Sequence, residues 1–276
     1  MNGPLFLLGT HQPGWLATAG VPLFVSDRRL RVYKTLPRAV TEWCCDSGGF
    51  TELQQYGQWT VTPADYVARL RRYRDEVGNL RWAAPQDWMC EPVVINGGQV
   101  GPIRFAGTGL SVAEHQHRTV TNFAQLRELA PDLPIIPVLQ GWHRDDYLRC
   151  VDLYWTLLRH DITTEPIVGV GSVCRRQGTH EAGHILRSLH HIGVNRLHGF
   201  GFKVLGLAEH GPLLTSADSM AWSVDARRRR RPMPGCTRHA NCANCLRYAL
   251  HWRTNTLTAA QPRSTQLPLF SLEGAA

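Results

Sequence analysis

An α/β fold built on a parallel sheet is predicted by two features of this 276-residue sequence. Short apolar runs recur along it without polar alternation, as strands buried on both faces require. Segments of helical length and pattern separate them, which is the signature of βαβ units. Seven such runs, with room for one more, suit a (β/α)8 TIM barrel, a fold that typically takes about 250 residues. A doubly wound open sheet is the alternative. No G-x-G-x-x-G follows the first run, so the dinucleotide-binding form of that alternative lacks its main signature.

In chain order, strands are expected at LFLLGT (5–10), VTEWCCD (40–46), NLRWAAP (79–85), PIIPVLQG (134–141), PIVGVGSV (166–173), RLHGFGF (196–202) and LLTSAD (213–218). Helices are expected at 63–78, 119–130, 144–160 and 179–193. Thr62 as N-cap with Pro63 at the first helical position opens the first of them, and Gly193 closes the last. The barrel is expected to occupy residues 1–253, including a small zinc-binding subdomain at 236–253. From Thr254 the chain turns polar and low in complexity, so 254–276 is expected to be a disordered tail.

A hydrophobic share of 43% with 19% charged residues is ordinary for a globular chain. The N-terminal stretch lacks a basic region before an apolar one, and no apolar run reaches membrane-spanning length; a cytoplasmic protein is therefore expected. The net charge of +8 and pI near 9.3 favour an anionic partner such as nucleic acid. That charge is uneven: Arg227, Arg228, Arg229, Arg230 and Arg231 form one block, while Lys34 and Lys203 are the only lysines. Cys44, Cys45, Cys90, Cys150 and Cys174 lie in or beside apolar runs, where a thiol packs as a small hydrophobe. The remaining cysteines crowd into CTRHANCANC (236–245), which reads as metal binding rather than a disulfide framework. Cys236, His239, Cys242 and Cys245 stand at three-residue steps, and thiolates with one imidazole suit a closed structural Zn²⁺ site. His251 is the alternative fourth ligand.

The polar residues at the strand ends point to chemistry. Asp46 ends the second expected strand, Asp87 follows the third, Gln140 the fourth, and Gly169 and Gly171 lie at the fifth. His198 falls within the sixth and Asp218 ends the seventh. In a barrel these positions converge on the C-terminal rim, where active sites of that fold are built. Two carboxylates flanking a sugar carbon equip retaining glycosyl transfer, one as nucleophile and one as acid and base. A third acid suits recognition of N–H donors, of which guanine presents a row at N1 and N2. Gln donates or accepts, and Gly lets a backbone N–H approach a ligand closely. His198 either lines the same pocket or is a satisfied core histidine.

DSGGF at 46–50 resembles the signature of the tRNA-guanine transglycosylases, barrel enzymes that exchange guanine for 7-deazaguanines. The resemblance continues in order through Asp87, VLQGW around Gln140, VGVGS at 168–172 and SADSMAW around Asp218, spanning roughly residues 40–250. It implies that Asp218 attacks C1′ of the nucleoside to give a covalent glycosyl-enzyme and that Asp46 is the general acid/base. It also implies that Asp87, Gln140 and the backbone at Gly169 or Gly171 hold the base, with Ser47 and Gly48 shaping the pocket. Thr51 replaces the family's usual glutamine, and the zinc spacing departs from C-x-C-x-x-C. These departures are similar to the DNA-modifying branch, the deazapurine-in-DNA (DpdA-type) DNA guanine transglycosylases. That branch implies DNA and a free 7-deazaguanine such as 7-cyano-7-deazaguanine as substrates, with the arginine block gripping phosphates. Action on tRNA and a catalytically silent zinc-containing nucleic-acid-binding barrel are the alternatives. A base must leave the stack before C1′ is reached, so a DNA-opening helper protein is a further expected partner. A metal-dependent hydrolase using HQHR (115–118) is the weakest reading. QLPLF (266–270) is similar to the peptides by which bacterial proteins dock on the DNA sliding clamp, through Gln266, Leu267, Leu269 and Phe270.

Overall fold

The computed structural model describes residues 3–261. The chain runs β1 (Leu5–Thr10), β2 (Leu23–Ser26), α1 (Asp27–Leu30), β3 (Trp43–Asp46), α2 (Gly49–Tyr56), α3 (Pro63–Glu76), β4 (Leu80–Ala83) and α4 (Pro92–Asn96). An antiparallel hairpin follows, β5 (Gly98–Val100) and β6 (Ile103–Phe105), then α5 (Val112–Leu129), β7 (Val138–Leu139), α6 (Arg144–Leu158) and β8 (Val168–Val170). The remainder is α7 (His180–His191), β9 (Leu197–Gly199), α8 (Val204–His210), β10 (Ser216–Ser219), α9 (Ala221–Arg229) and α10 (Leu246–Ala259).

Eight of the strands form one parallel sheet in the order β4-β3-β2-β1-β10-β9-β8-β7. The sheet curls until its edges meet at one bridge between Ala83 and Ile135, where the Ala83 amide donates to Pro134 O and the Ile136 amide to Ala83 O. The expected parallel α/β architecture is therefore present, while its edges meet at one bridge, from the end of β4 to Ile135 just ahead of β7, and share no continuous ladder.

All seven expected strands correspond to strands of this sheet, each shortened at one or both ends except β1. The eighth, β2, was not read from PLFVSD because Pro22 and the polar Ser26-Asp27 leave only three apolar residues between them. The N-cap at Thr62 is real: its hydroxyl oxygen accepts from the Asp65 amide at 3.1 Å. Helix α5 starts seven residues earlier than the expected Thr119, at a Ser111 cap that accepts from the Glu114 amide. HQHR lies inside that helix, with His115 buried against Met89 O and Thr108. Helix α10 carries the chain past Thr254 to Ala259, so the polar stretch expected to be disordered from Thr254 begins as helix. QLPLF falls outside the described residues.

The pleat explains where the polar residues go. Successive side chains on a strand face opposite ways. One set faces the helices and forms the largest cluster, with Leu8, Val25, Trp43, Cys45, Val170 and Ala217. The other set fills the inside of the curl with Leu7, Phe24, Cys44, Trp82 and Val138. Parallel register pairs Phe24 with Cys44, Ser26 with Asp46, Leu7 with Asp218 and Gly169 with His198, so partners share a face. Two residues beyond Phe24, Cys44 and Val138 on the same face stand Ser26, Asp46 and Gln140. The site is thus built on the pleat layer just above the inner core, with Asp218 joining it from the level of Leu7.

Candidate active site

A cavity of about 560 Å³ opens at the carboxyl ends of these strands. Asp46, Asp87, Gln140, Gly171 and Asp218 line it, with Phe24, Phe50, Met89 and Phe200 as apolar walls. Its size fits a small aromatic ligand held between hydrophobic faces by a few polar groups. Five of the residues proposed from strand ends, scattered over more than 170 positions, therefore meet in one space.

Asp46 is the last residue of β3, with Ser26 beside it in register and the Gly48 amide close by. Burial pushes its carboxyl up to about 6, although both neighbours donate to the charged form, and Asp218 adds repulsion. Asp87 follows β4 and is pushed up to about 7, again chiefly by burial, with Asp46 adding to the rise. Gln140 Nε2 donates to Asp87 Oδ2. Asp218 sits in β10, where the Gly201 amide donates to Oδ1 at 3.0 Å and His198 Nε2 lies 3.3 Å from the same oxygen. The arrangement holds two acids with elevated proton affinity beside a third whose oxygen is fixed by an amide. Proton transfer to and from a bound group, alongside nucleophilic attack, is within its chemistry.

The other expected residues, Gly171 apart, lie just behind this surface. Gly171 lines the cavity, and an added Cβ there would sit 2.2 Å from Gln140 Nε2, so glycine is what lets the amide lie flat against the strand. Gly169 is one pleat deeper, under the Phe200 ring. Gly48 takes φ +83 and leaves room for the Arg28 side chain, while Ser47 is buried with its hydroxyl unpartnered. His198 is fully buried, packed against Trp82 and Phe200 with Nδ1 2.8 Å from Ser216 Oγ. It contacts Asp218 from below and does not line the cavity.

The arginine block is not at the cavity. Arg227, Arg228 and Arg229 form the last turn of α9, Arg230 ends it at φ 56, and Arg231 follows. Nine helical residues at about 1.5 Å each carry the run away from the rim. Arg28, Arg29 and Arg175 line the cavity in its place. Sequence reasoning missed these three, and also Ser26, Glu91 and Ser172. Glu91 and Ser172 were adjacent to recognised positions, in QDWMCE and VGVGS, and only the fold shows that they meet.

Between α9 and α10, Cys236, His239, Cys242 and Cys245 place their donor atoms within 4.8 Å of one another. Cys236 and Cys245 Sγ are 3.9 Å apart, and His239 Nε2 is 3.2 Å from Cys242 Sγ. A tetrahedral ion with bonds of about 2.3 Å to sulfur and 2.0 Å to nitrogen needs edges of roughly 3.5–3.8 Å. The cluster can therefore hold a metal such as zinc. His251 is not part of it; it lies in α10, where it accepts from Asn255 at 3.1 Å. Asn244, between two of the ligands, meets His11 at the cavity rim, and Ser223 of α9 donates to Ala243 O.

Fold and site together define a parallel α/β protein with a carboxylate-lined cavity at its strand ends. The model of the DpdA family, DeoxyPurine in DNA protein A, matches residues 2–270, and the chain belongs to that family. No curated protein matches it. Among solved structures, the YdjI aldolase from Escherichia coli K12 is similar with a TM-score of 0.39 and 8% identity, covering 94% of this chain and 87% of the aldolase. No helix among the described residues is long and apolar enough to cross a membrane.

Proposed function

We propose that the chain is a DNA-guanine transglycosylase that exchanges guanine in DNA for a free 7-deazaguanine by double displacement. The observation that carries this reading is the convergence of Asp46, Asp87, Gln140 and Asp218 on one cavity in a chain of the DpdA family. An Asp218 oxygen attacks C1′ as the C1′–N9 bond breaks, and Asp46 gives its proton to N9 of the departing guanine. A 7-deazaguanine then enters, Asp46 takes the proton from its ring nitrogen, and that nitrogen attacks C1′ and releases the Asp218 carboxylate. An acid pushed up to about 6 holds and returns a proton near neutrality. Asp87 and the Gln140 N–H place an acceptor beside a donor, which complements the N1–H and O6 of guanine. Phe24 and Phe200 offer faces for stacking.

In this reading the curled sheet is a (β/α)8 barrel with its seam at Ala83–Ile135. A Zn²⁺ held by Cys236, His239, Cys242 and Cys245 fixes the chain's end to it. Arg29 and Arg175 at the mouth meet phosphates next to the extruded nucleotide, and the Arg227–Arg231 run meets DNA further out. A helper protein that opens the duplex belongs to the same proposal. Labelled guanine or 7-cyano-7-deazaguanine supplied with DNA or with tRNA tests it. Incorporation into DNA is expected. Incorporation into tRNA alone transfers the activity to RNA, and none into either favours a binding protein.

A further inference from the structure

In the wall of the cavity, Ser172 Oγ sits among three polar groups. The Cys90 amide donates to it at 2.7 Å, Gln140 Oε1 lies at 2.7 Å and Glu91 Oε2 at 3.0 Å. All are buried, Gln140 completely. Ser172 also takes φ 56, a left-handed conformation uncommon for a residue with a side chain, and it aims the hydroxyl at this junction.

A hydroxyl has one proton and two lone pairs. One lone pair already receives the Cys90 N–H. Two oxygens then compete for a single proton unless one of them carries its own, and only Glu91 can do so. With a proton on Glu91, the carboxyl donates to the second lone pair of Ser172, and the serine proton goes to Gln140 Oε1. Ser172 then has no lone pair left to receive a Gln140 N–H, so the amide cannot turn over. Its nitrogen side stays on Asp87 and the cavity.

We propose that Glu91 and Ser172 are positioning residues that lock the Gln140 amide as a hydrogen-bond donor and so make the site select a base with a 6-oxo group over one with a 6-amino group. This rests on the base-exchange reading for the identity of the ligand, and on the geometry alone for the lock. Burial raises the proton affinity of Glu91, against the pull of its own backbone amide, Ser172, Arg175 and Arg176. Gly171 belongs to the same device, because its missing side chain leaves the locked amide its place.

The test compares guanine with 2,6-diaminopurine, which puts an NH₂ donor where guanine has its 6-oxygen. The altered N1 of that analogue is common to every variant, so a change in the ratio reports the Gln140 contact. Binding of both bases is measured calorimetrically, and KM and kcat are measured in the exchange assay. Wild type is expected to prefer guanine by roughly 100-fold. Glu91→Ala and Ser172→Ala are expected to lower that ratio about tenfold through KM with kcat little changed. Glu91→Gln, whose amide still donates to Ser172, is expected to keep it. If Glu91→Ala does not accumulate, Ser172→Ala, which loses only a hydroxyl, decides with Glu91→Gln. Unchanged ratios in the alanine variants, or a Glu91→Gln variant that loses selectivity, overturn the lock. A wild type that selects guanine in binding but exchanges no base refutes the exchange reading, and the binding ratios of the variants then decide the lock. One that binds neither purine overturns both.

Discussion

The two candidate centres of this molecule are built in opposite ways. The metal cluster draws all four of its ligands from ten consecutive residues, in a loop between two helices. The cavity draws Asp46, Asp87, Gln140 and Asp218 from four strand ends spread along the chain. A loop can close around an ion with local geometry alone, since the ion supplies the binding free energy. The carboxylates of the cavity are brought together, against their own repulsion and desolvation, by the sheet beneath them. With an ion bound, the first centre would add stability, whereas burying carboxyls in the second costs it.

The largest effect expected from this contrast is at Asp218. Asp218→Ala should lower base exchange by at least about 1,000-fold and abolish any covalent adduct, as removal of a nucleophile does. Its melting temperature should stay near or above that of wild type. An active Asp218→Ala variant would place the nucleophile elsewhere. Cys242→Ser should do the reverse. Cys242 is fully buried and accepts from the Met233 amide, so a weakened metal site should cost about 2–5 kcal/mol of stability, read as a lower denaturation midpoint together with metal loss. Equal stability with and without bound metal would remove the cluster's structural role.

The smallest effect is a pH dependence contributed by the acids of the cavity. Asp46 and Asp87 hold protons in the folded state up to about 6 and about 7, against an ordinary value of 3.8. The folded chain therefore binds more protons than the unfolded one in that window. Their stabilising contribution is fully present below about pH 4 and is lost as pH rises through 6 to 7. Denaturation midpoints at constant salt should fall across that range, and Asp87→Asn should flatten the slope. An unchanged slope in Asp87→Asn would show that this carboxyl is ionised in the folded protein.

The same contrast explains what could be read from the sequence. The Cys–His cluster was visible from spacing, because Cys236 to Cys245 are near neighbours in the chain and in space. The parallel sheet was visible from its apolar runs, and the acids from their places at strand ends. Asp46, Asp87 and Asp218 could be assembled into one site only by assuming the barrel. Ser172 and Glu91 were invisible because their pairing crosses 81 positions and neither residue type marks a site by itself. The arginine block is near Asp218 in sequence, but it ends a nine-residue helix after β10 and does not line the cavity. Short elements such as β2 and the β5–β6 hairpin lack the length for a periodic signal.

One pairing in the sheet bears on how the chain is made. Strand β1 lies between β2 and β10, so the first strand synthesised waits for the last before its second edge is covered. Arg253 and Trp252 of α10 then close over Phe6 from the outside. At roughly 5–20 residues per second, a ribosome takes some 10 seconds or more to deliver Asp218 after Leu5. Throughout that interval the nascent chain carries an open strand edge, and Asp46 and Asp87 stand at a half-built rim. The cavity comes into being as a whole only once β10 has been made, and a product cut before Asp218 lacks it.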